Sequence, residues 1–237
     1  MTPSHVRTAL ITGASRGLGL ALARQLAQQG WNLLIDARNR QALDLAHVQL
    51  AQQTNVVAIH GDVTDVLHRQ ALFEAVRAFG GLDALVNNAS ILGPSPQPYL
   101  LAYPLDVLEQ VYRTNVLAPL ALIQGLQHQF KQDARIINIT SDAGIEAYPG
   151  WGGYGSSKAA LEHLSRILSV ENSSLHVYWV DPGDMRTQMH QEAFPGEDIS
   201  DRPLPEESVP GILTLLKGTY PSGRYTTRSL TTAKEGQ

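Results

Sequence analysis

The chain has 237 residues, 43% hydrophobic and 17% charged, with a formal net charge of -4. That composition is globular; with no Lys/Arg stripe it points away from nucleic acid, and without cysteine it excludes disulfides and thiol catalysis and suits a reducing compartment. No stretch nears the roughly 20 apolar residues of a membrane span, and the histidines are scattered without metal-ligand spacing, so neither a membrane partner nor a metal site is expected.

The opening MTPSHVRTALITGAS lacks a signal-peptide layout, because its short apolar run leads directly into a glycine turn; a cytoplasmic protein is expected. That run, TALIT (8–12), reads as the first strand, and a helical period follows over 18–29. The pattern then repeats. NLLID (32–36) precedes a helical period over 40–53, VVAIH (56–60) one over 66–79, and ALVNN (84–88) one over 106–130. RIINIT (135–140) precedes a helical period over 154–171, and HVYWV (176–180) closes the series. The strands are rich in Val, Ile and Leu and none alternates strictly, as expected for strands buried on both faces of a parallel sheet. Strand and helix in alternation predict an α/β fold: one Rossmann-type doubly wound domain over 1–237, of about seven parallel strands with helices on both faces. Residues 188–210 break the rhythm, being acidic and proline-rich, and read as a substrate loop or lid.

Two stretches carry chemistry. In TGASRGLG (12–19) a strand enters a glycine-rich turn that opens a helix. Glycine lets the chain turn sharply and a ligand approach the backbone, and the helix start offers free N–H groups to a pyrophosphate. In GWGGYGSSKAALEHL (150–164), Tyr154 and Lys158 sit one helical turn apart. That spacing alone is weak, since many helix faces carry an aromatic and a lysine.

The wider chain, to about residue 187, resembles the short-chain dehydrogenases/reductases. LITGASRGLG (10–19) is similar to their TGxxxGxG fingerprint, with Thr12, Gly13, Gly17 and Gly19 matching and Ser15, Arg16 and Leu18 between them. Asp62 and Val63 resemble the pair that contacts the adenine. Asn87-Asn88-Ala89 resembles the NNAG turn along the cofactor, with Ser90 in place of glycine, a departure expected to touch only local turn geometry. Asn115 matches a mid-helix asparagine, Ser141 precedes Tyr154 at the family's spacing, and Tyr154 and Lys158 match YxxxK. Pro182, Gly183 and Thr187 resemble the PGxxxT turn that holds the nicotinamide amide.

The resemblance implies hydride transfer between a nicotinamide cofactor and a small carbonyl or alcohol substrate. Tyr154 is then general acid and base, Lys158 the ammonium that favours its phenolate, Ser141 the substrate-orienting hydroxyl, and Asn115 a helix-kinking residue that ties Lys158 to solvent. NADP(H) is favoured over NAD(H): the discriminating acid is expected at 37, which is Ala37, while Arg38 and Arg16 suit a 2′-phosphate. A shift of one residue would instead give Asp36 the ribose. The alternative function is a non-catalytic NADP-binding regulator or sensor. Tyr148, Trp151, Met189 and Phe194 are candidates for an apolar pocket wall. A homodimer or homotetramer is expected through the helices around 106–130 and 154–171, with Val107, Leu108, Val111, Leu122 and Leu126 as a contact face.

Overall fold

In the computed structural model, which describes residues 6–232, seven strands form one parallel sheet. They are β1 (Thr8–Ile11), β2 (Asn32–Ala37), β3 (Val56–His60), β4 (Leu82–Asn87), β5 (Phe130–Ile139), β6 (His176–Asp181) and β7 (Gly223–Thr226). Their order is β3-β2-β1-β4-β5-β6-β7. The direction of winding reverses between β1 and β4, which opens a crevice at the carboxyl ends of those strands.

The absence of strict alternation along the strands now has its reason. Ala9 and Ile11 of β1 pack under α1 (Gly17–Gln28), α2 (Arg40–Leu50) and α8 (Pro205–Lys217). Leu10 points the other way, beneath α3 (Val66–Ala78) and α5 (Ala118–Leu126). Both faces of the sheet are therefore core, and an apolar residue is favoured at every strand position.

The helical period over 106–130 is not one helix. α4 (Leu105–Tyr112) passes into a π-helical segment, Arg113–Leu117, and then into α5. Chain after Leu126 turns, and β5 starts at Phe130, earlier than the apolar run RIINIT suggests. Val111, Leu122 and Leu126 lie in the core at 0–1% exposure, so they are not a contact face for a second chain. α6 (Gly152–Glu171) begins just before Tyr154.

The segment 188–210 is more ordered than its composition suggests. α7 (Gln188–Ala193) is capped by Thr187, whose hydroxyl accepts from the His190 N–H at 3.2 Å. α8 starts with Pro205 in its first turn, and Glu207 accepts from the Leu204 N–H at 3.1 Å. Glu206 and Glu207 are thus a helix start, where acids complement the dipole. β7 has none of the Val, Ile or Leu that marked the other strands, and α9 (Thr227–Thr232) follows it. Residues 1–5 and 233–237 of the expected domain lie outside the described residues. Among the described residues no helix is long and apolar enough to cross a membrane.

Candidate active site

The glycine turn is built from beneath. Gly13 and Gly17 have φ of 65° and 55°, a region that strains any residue with a Cβ. The Gly13 N–H donates to Asp36 Oδ1 at 2.8 Å, and Asp36 Oδ2 pairs with His68 Nε2 at 2.9 Å. Asp36 is 1% exposed; burial raises its pKa, and the bonds from His68 and Gly13 oppose that rise. The Thr12 hydroxyl oxygen accepts from the Asn88 and Ala89 N–H groups, each at 3.0 Å. Asn88 Nδ2 donates in return to Thr12 O at 2.8 Å. A Cβ on Gly19 would lie 2.6 Å from Asn88 Nδ2 and 2.7 Å from Gly13 O, so only glycine lets α1 approach this closely.

Above the turn runs a cleft of about 930 Å³. Gly13, Ser15, Arg16, Gly17 and Leu18 form its floor, with Arg38, Asp62 and Val63 at one end and Asn88 and Ala89 along it. Ser141, Tyr154, Lys158, Pro182, Gly183 and Thr187 line the other end. Several residues singled out in the sequence do not reach its wall: Thr12, Gly19, Asn87 and Asn115 of the motifs, and Tyr148 and Phe194 of the expected apolar pocket wall. Thr12 and Gly19 lie behind the turn and shape it. Asn115 is 1% exposed and lies in the π-helical segment.

Arg38 and Arg16 are exposed at the cleft, the Arg16 guanidinium meeting the Gln188 side chain of α7. The cradle fits a dinucleotide: positive-φ glycines beneath, a helix start aimed in, and two exposed cations at its edge.

Tyr154 is 8% exposed and Lys158 2%. The Lys158 ammonium lies 5.3 Å from the centre of the Tyr154 ring and donates to Ile139 O at 2.8 Å. Burial pulls the Lys158 pKa from 10.5 down to about 8, against the opposing charge of Glu162. Burial also pushes the Tyr154 phenol well above its ordinary value, and the charges of Asp181 and Asp142 add to this. Burial and the two acids thus disfavour the phenolate in the protein by itself.

Ser90, beside the phenol, opposes that rise by favouring the phenolate. The single proton of the Ser90 hydroxyl goes to Asn115 Oδ1 at 3.1 Å in this arrangement, and would turn to the phenolate when Tyr154 ionises. The serine in place of the family glycine therefore stands at the reactive end, not merely in a turn. Its signal in the sequence was a hydroxyl where the motif carries only hydrogen.

The direct bonds of Asn115 run to the loop after β4 and to α6. Asn115 accepts from the Ile91 N–H at 2.9 Å and donates to Ile91 O at 2.9 Å and to Ser157 Oγ at 3.0 Å. It fastens the 90–91 loop to α6. The Ser141 hydroxyl caps a short 3-10 turn, Asp142–Gly144, and donates to Asp142 Oδ1 at 2.8 Å. Trp151 stands edge-on to Tyr154 at 5.8 Å and packs on Phe194 at 5.9 Å, with Leu92 and Met189 in the same apolar cluster. Tyr148 is 44% exposed and bonds Asp142 Oδ2, at the rim of this cluster.

The chain matches the family model for short chain dehydrogenase over residues 7–198. It belongs to that family. This short chain dehydrogenase is 35% identical over 193 residues to the rhamnolipids biosynthesis 3-oxoacyl-(acyl-carrier-protein) reductase of Pseudomonas aeruginosa, covering 77% of this chain and 74% of that protein. It is 33% identical over 199 residues to sepiapterin reductase of Mus musculus, covering 78% and 76%. A short chain dehydrogenase of Escherichia coli, solved as a complex with NADPH, superimposes with a TM-score of 0.83 at 26% identity, covering 94% of this chain and 96% of that one. As a member, the chain is an oxidoreductase acting between carbonyl and alcohol, on a Rossmann-type NAD(P)-binding fold.

Proposed function

We propose that the protein is an NADP(H)-dependent reductase or dehydrogenase that interconverts a small carbonyl compound and its alcohol, with Tyr154 as general acid and base. The observation that carries this reading is the buried Tyr154–Lys158 pair at one end of a cleft whose floor is the glycine turn. When bound, the nicotinamide supplies or takes up the hydride.

The chain's own residues do the rest. Gly13 shapes the turn, its own N–H and that of Ala14 being bonded to Asp36, and the backbone N–H groups from Ser15 to Leu18 hold the pyrophosphate, helped by the Ser15 side chain. Asp62 and Val63 flank the adenine, Asn88 and Ala89 lie along the cofactor, and Pro182, Gly183 and Thr187 grip the carboxamide. Tyr154 gives its proton to the developing alkoxide, and the Lys158 charge stabilises the phenolate left behind. The Ser141 hydroxyl turns from Asp142 to the substrate oxygen. Asn115 holds the loop bearing Ser90 against α6.

NADP(H) is preferred over NAD(H) because Asp36 is already committed. Both its oxygens are taken, by Gly13 and by His68, beneath the turn. The ribose end is left to Arg38 and Arg16, which suit a 2′-phosphate. The NADPH carried by the Escherichia coli relative supports this choice, and the reductase names of the relatives support a carbonyl substrate.

Trp151 and Met189, backed by Phe194, form an apolar wall beside Tyr154, and residues 188–210 act as the lid. The whole chain works as one domain in the cytoplasm, as a homodimer or homotetramer, with exposed Leu101, Leu105, Ile167 and Val170 near α4 and α6 as the contact surface. Light scattering tests the assembly. The activity is tested with a panel of ketones and aldehydes, following NADPH absorbance, in the wild type and in Tyr154→Phe. Turnover that survives in the variant overturns the reading.

A further inference from the structure

β7 delivers one side chain that the sequence did not single out. Arg224 lies beside Trp179 in the register of β6 and β7. Its Nε donates to Glu162 Oε1 at 3.0 Å, and its Nη2 to Asp181 Oδ2 and to Ser141 O, each at 3.2 Å. The three acceptors belong to α6, to the end of β6 and to the turn after β5. Side-chain exposure is 22% for Arg224 and 10% for both acids, so these are shielded contacts.

Each acceptor adjoins a part of the proposed site. Glu162 is one helical turn beyond Lys158, and it also accepts from the Thr140 hydroxyl at 2.8 Å. Asp181 directly precedes Pro182, and its other oxygen accepts from the Gly183 N–H at 2.9 Å. Ser141 is the substrate-orienting hydroxyl itself. Arg224 does not line the cleft. It acts from behind, as the one group bonded to all three elements.

We propose that Arg224 is a positioning residue for the nicotinamide half of the site, joining α6, Ser141 and the Pro182–Gly183 turn through one guanidinium. The inference rests on the cofactor reading above. A planar fork with fixed N–H directions reaches three acceptors at once, whereas an ammonium on a flexible stem does not hold the same geometry. Without the guanidinium, Glu162 and Asp181 face each other's charge across a shielded space, and the elements that bear them move apart.

The adenosine half of the cleft lies on β1, β2 and β3, away from this contact, and that separates the outcomes. Calorimetric titrations of NADPH and of adenosine 2′,5′-bisphosphate are run on the wild type, Arg224→Met and Arg224→Lys, with thermal unfolding of each. NADPH is expected to bind roughly tenfold more weakly to both variants, and adenosine 2′,5′-bisphosphate equally well to all three. If Arg224→Met does not fold, Arg224→Lys carries the test, because it keeps the charge. Equal weakening of both ligands, or wild-type affinity for NADPH in Arg224→Lys, overturns the inference alone. A wild type that binds neither ligand overturns the cofactor reading and the inference with it.

Discussion

At Lys158 stability and activity pull in opposite directions. Its ammonium is buried with one bond to Ile139 O, and its pKa falls from 10.5 to about 8. The folded value lies below the unfolded one, so the native state binds this proton less well. The cost is complete below pH 8 and fades as the pH rises toward the unfolded value; it is on the order of 3 kcal/mol. Lys158→Met is therefore expected to lose turnover yet unfold at a higher temperature than the wild type at pH 7. The gap should close between pH 8 and 10.5 in scanning calorimetry. A Met variant that is less stable at pH 7 contradicts the account. Tyr154→Phe should cost about 10²–10⁴ in kcat, the usual share of a general acid, with NADPH affinity unchanged by titration. Ser90→Gly tests the residue whose role was hidden. Tyr154 is faced by Asp181 and Asp142, which disfavour its phenolate, by Lys158 beside its ring, and by Ser90, whose bond favours the phenolate. Losing that bond should move the rising limb of the pH profile for alcohol oxidation to higher pH. An unmoved limb removes Ser90 from the proton's path.

Between elements, the bonds that set the site are few and buried. Asn115 joins the loop after β4 to α6 through four hydrogen bonds, to Ser90, Ser157 and both backbone groups of Ile91. Asn115→Ala leaves those buried groups unpaired, and a loss of about 2–3 kcal/mol is expected in urea unfolding. A change below about half a kcal/mol would mean that water replaces the side chain. The resemblance implied a kinked helix at Asn115, but the π-helical form of the segment was not readable from the apolar spacing. Its apolar spacing stays close to the helical period across 106–130, and one widened turn does not disturb that pattern enough to be seen. β7 was hidden for the opposite reason. Its residues are half-buried at the sheet edge, so GRYT shows no apolar run. α8 was masked by the acids and prolines at its own start, which are helix-opening signals as much as loop signals.

For the molecule as a whole, cofactor binding is the property to measure. A ligand that binds only the folded state at about a hundred times its dissociation constant adds roughly 2.7 kcal/mol. NADPH should raise the unfolding temperature more than NADH does. Arg38→Ala should erase that difference, weakening NADPH by about tenfold or more through the lost charge-assisted bonds while leaving NADH unchanged. A larger shift with NADH in the wild type would hand the ribose to an acid and overturn the NADP preference.

The strand–glycine turn–helix start, the YxxxK pair and the alternating apolar runs were legible in one dimension. They are local patterns, because backbone geometry and helix periodicity act over a few residues. The family and the parallel sheet follow from them. Other features depend on residues far apart in the chain. Asp36 meets Gly13 and His68 beneath the turn, Ser90 meets Tyr154, and Arg224 meets Ser141, Glu162 and Asp181. No local spacing encodes such contacts. They arise when the sheet brings the carboxyl ends of its strands to one edge, where burial favours a partner for a polar group.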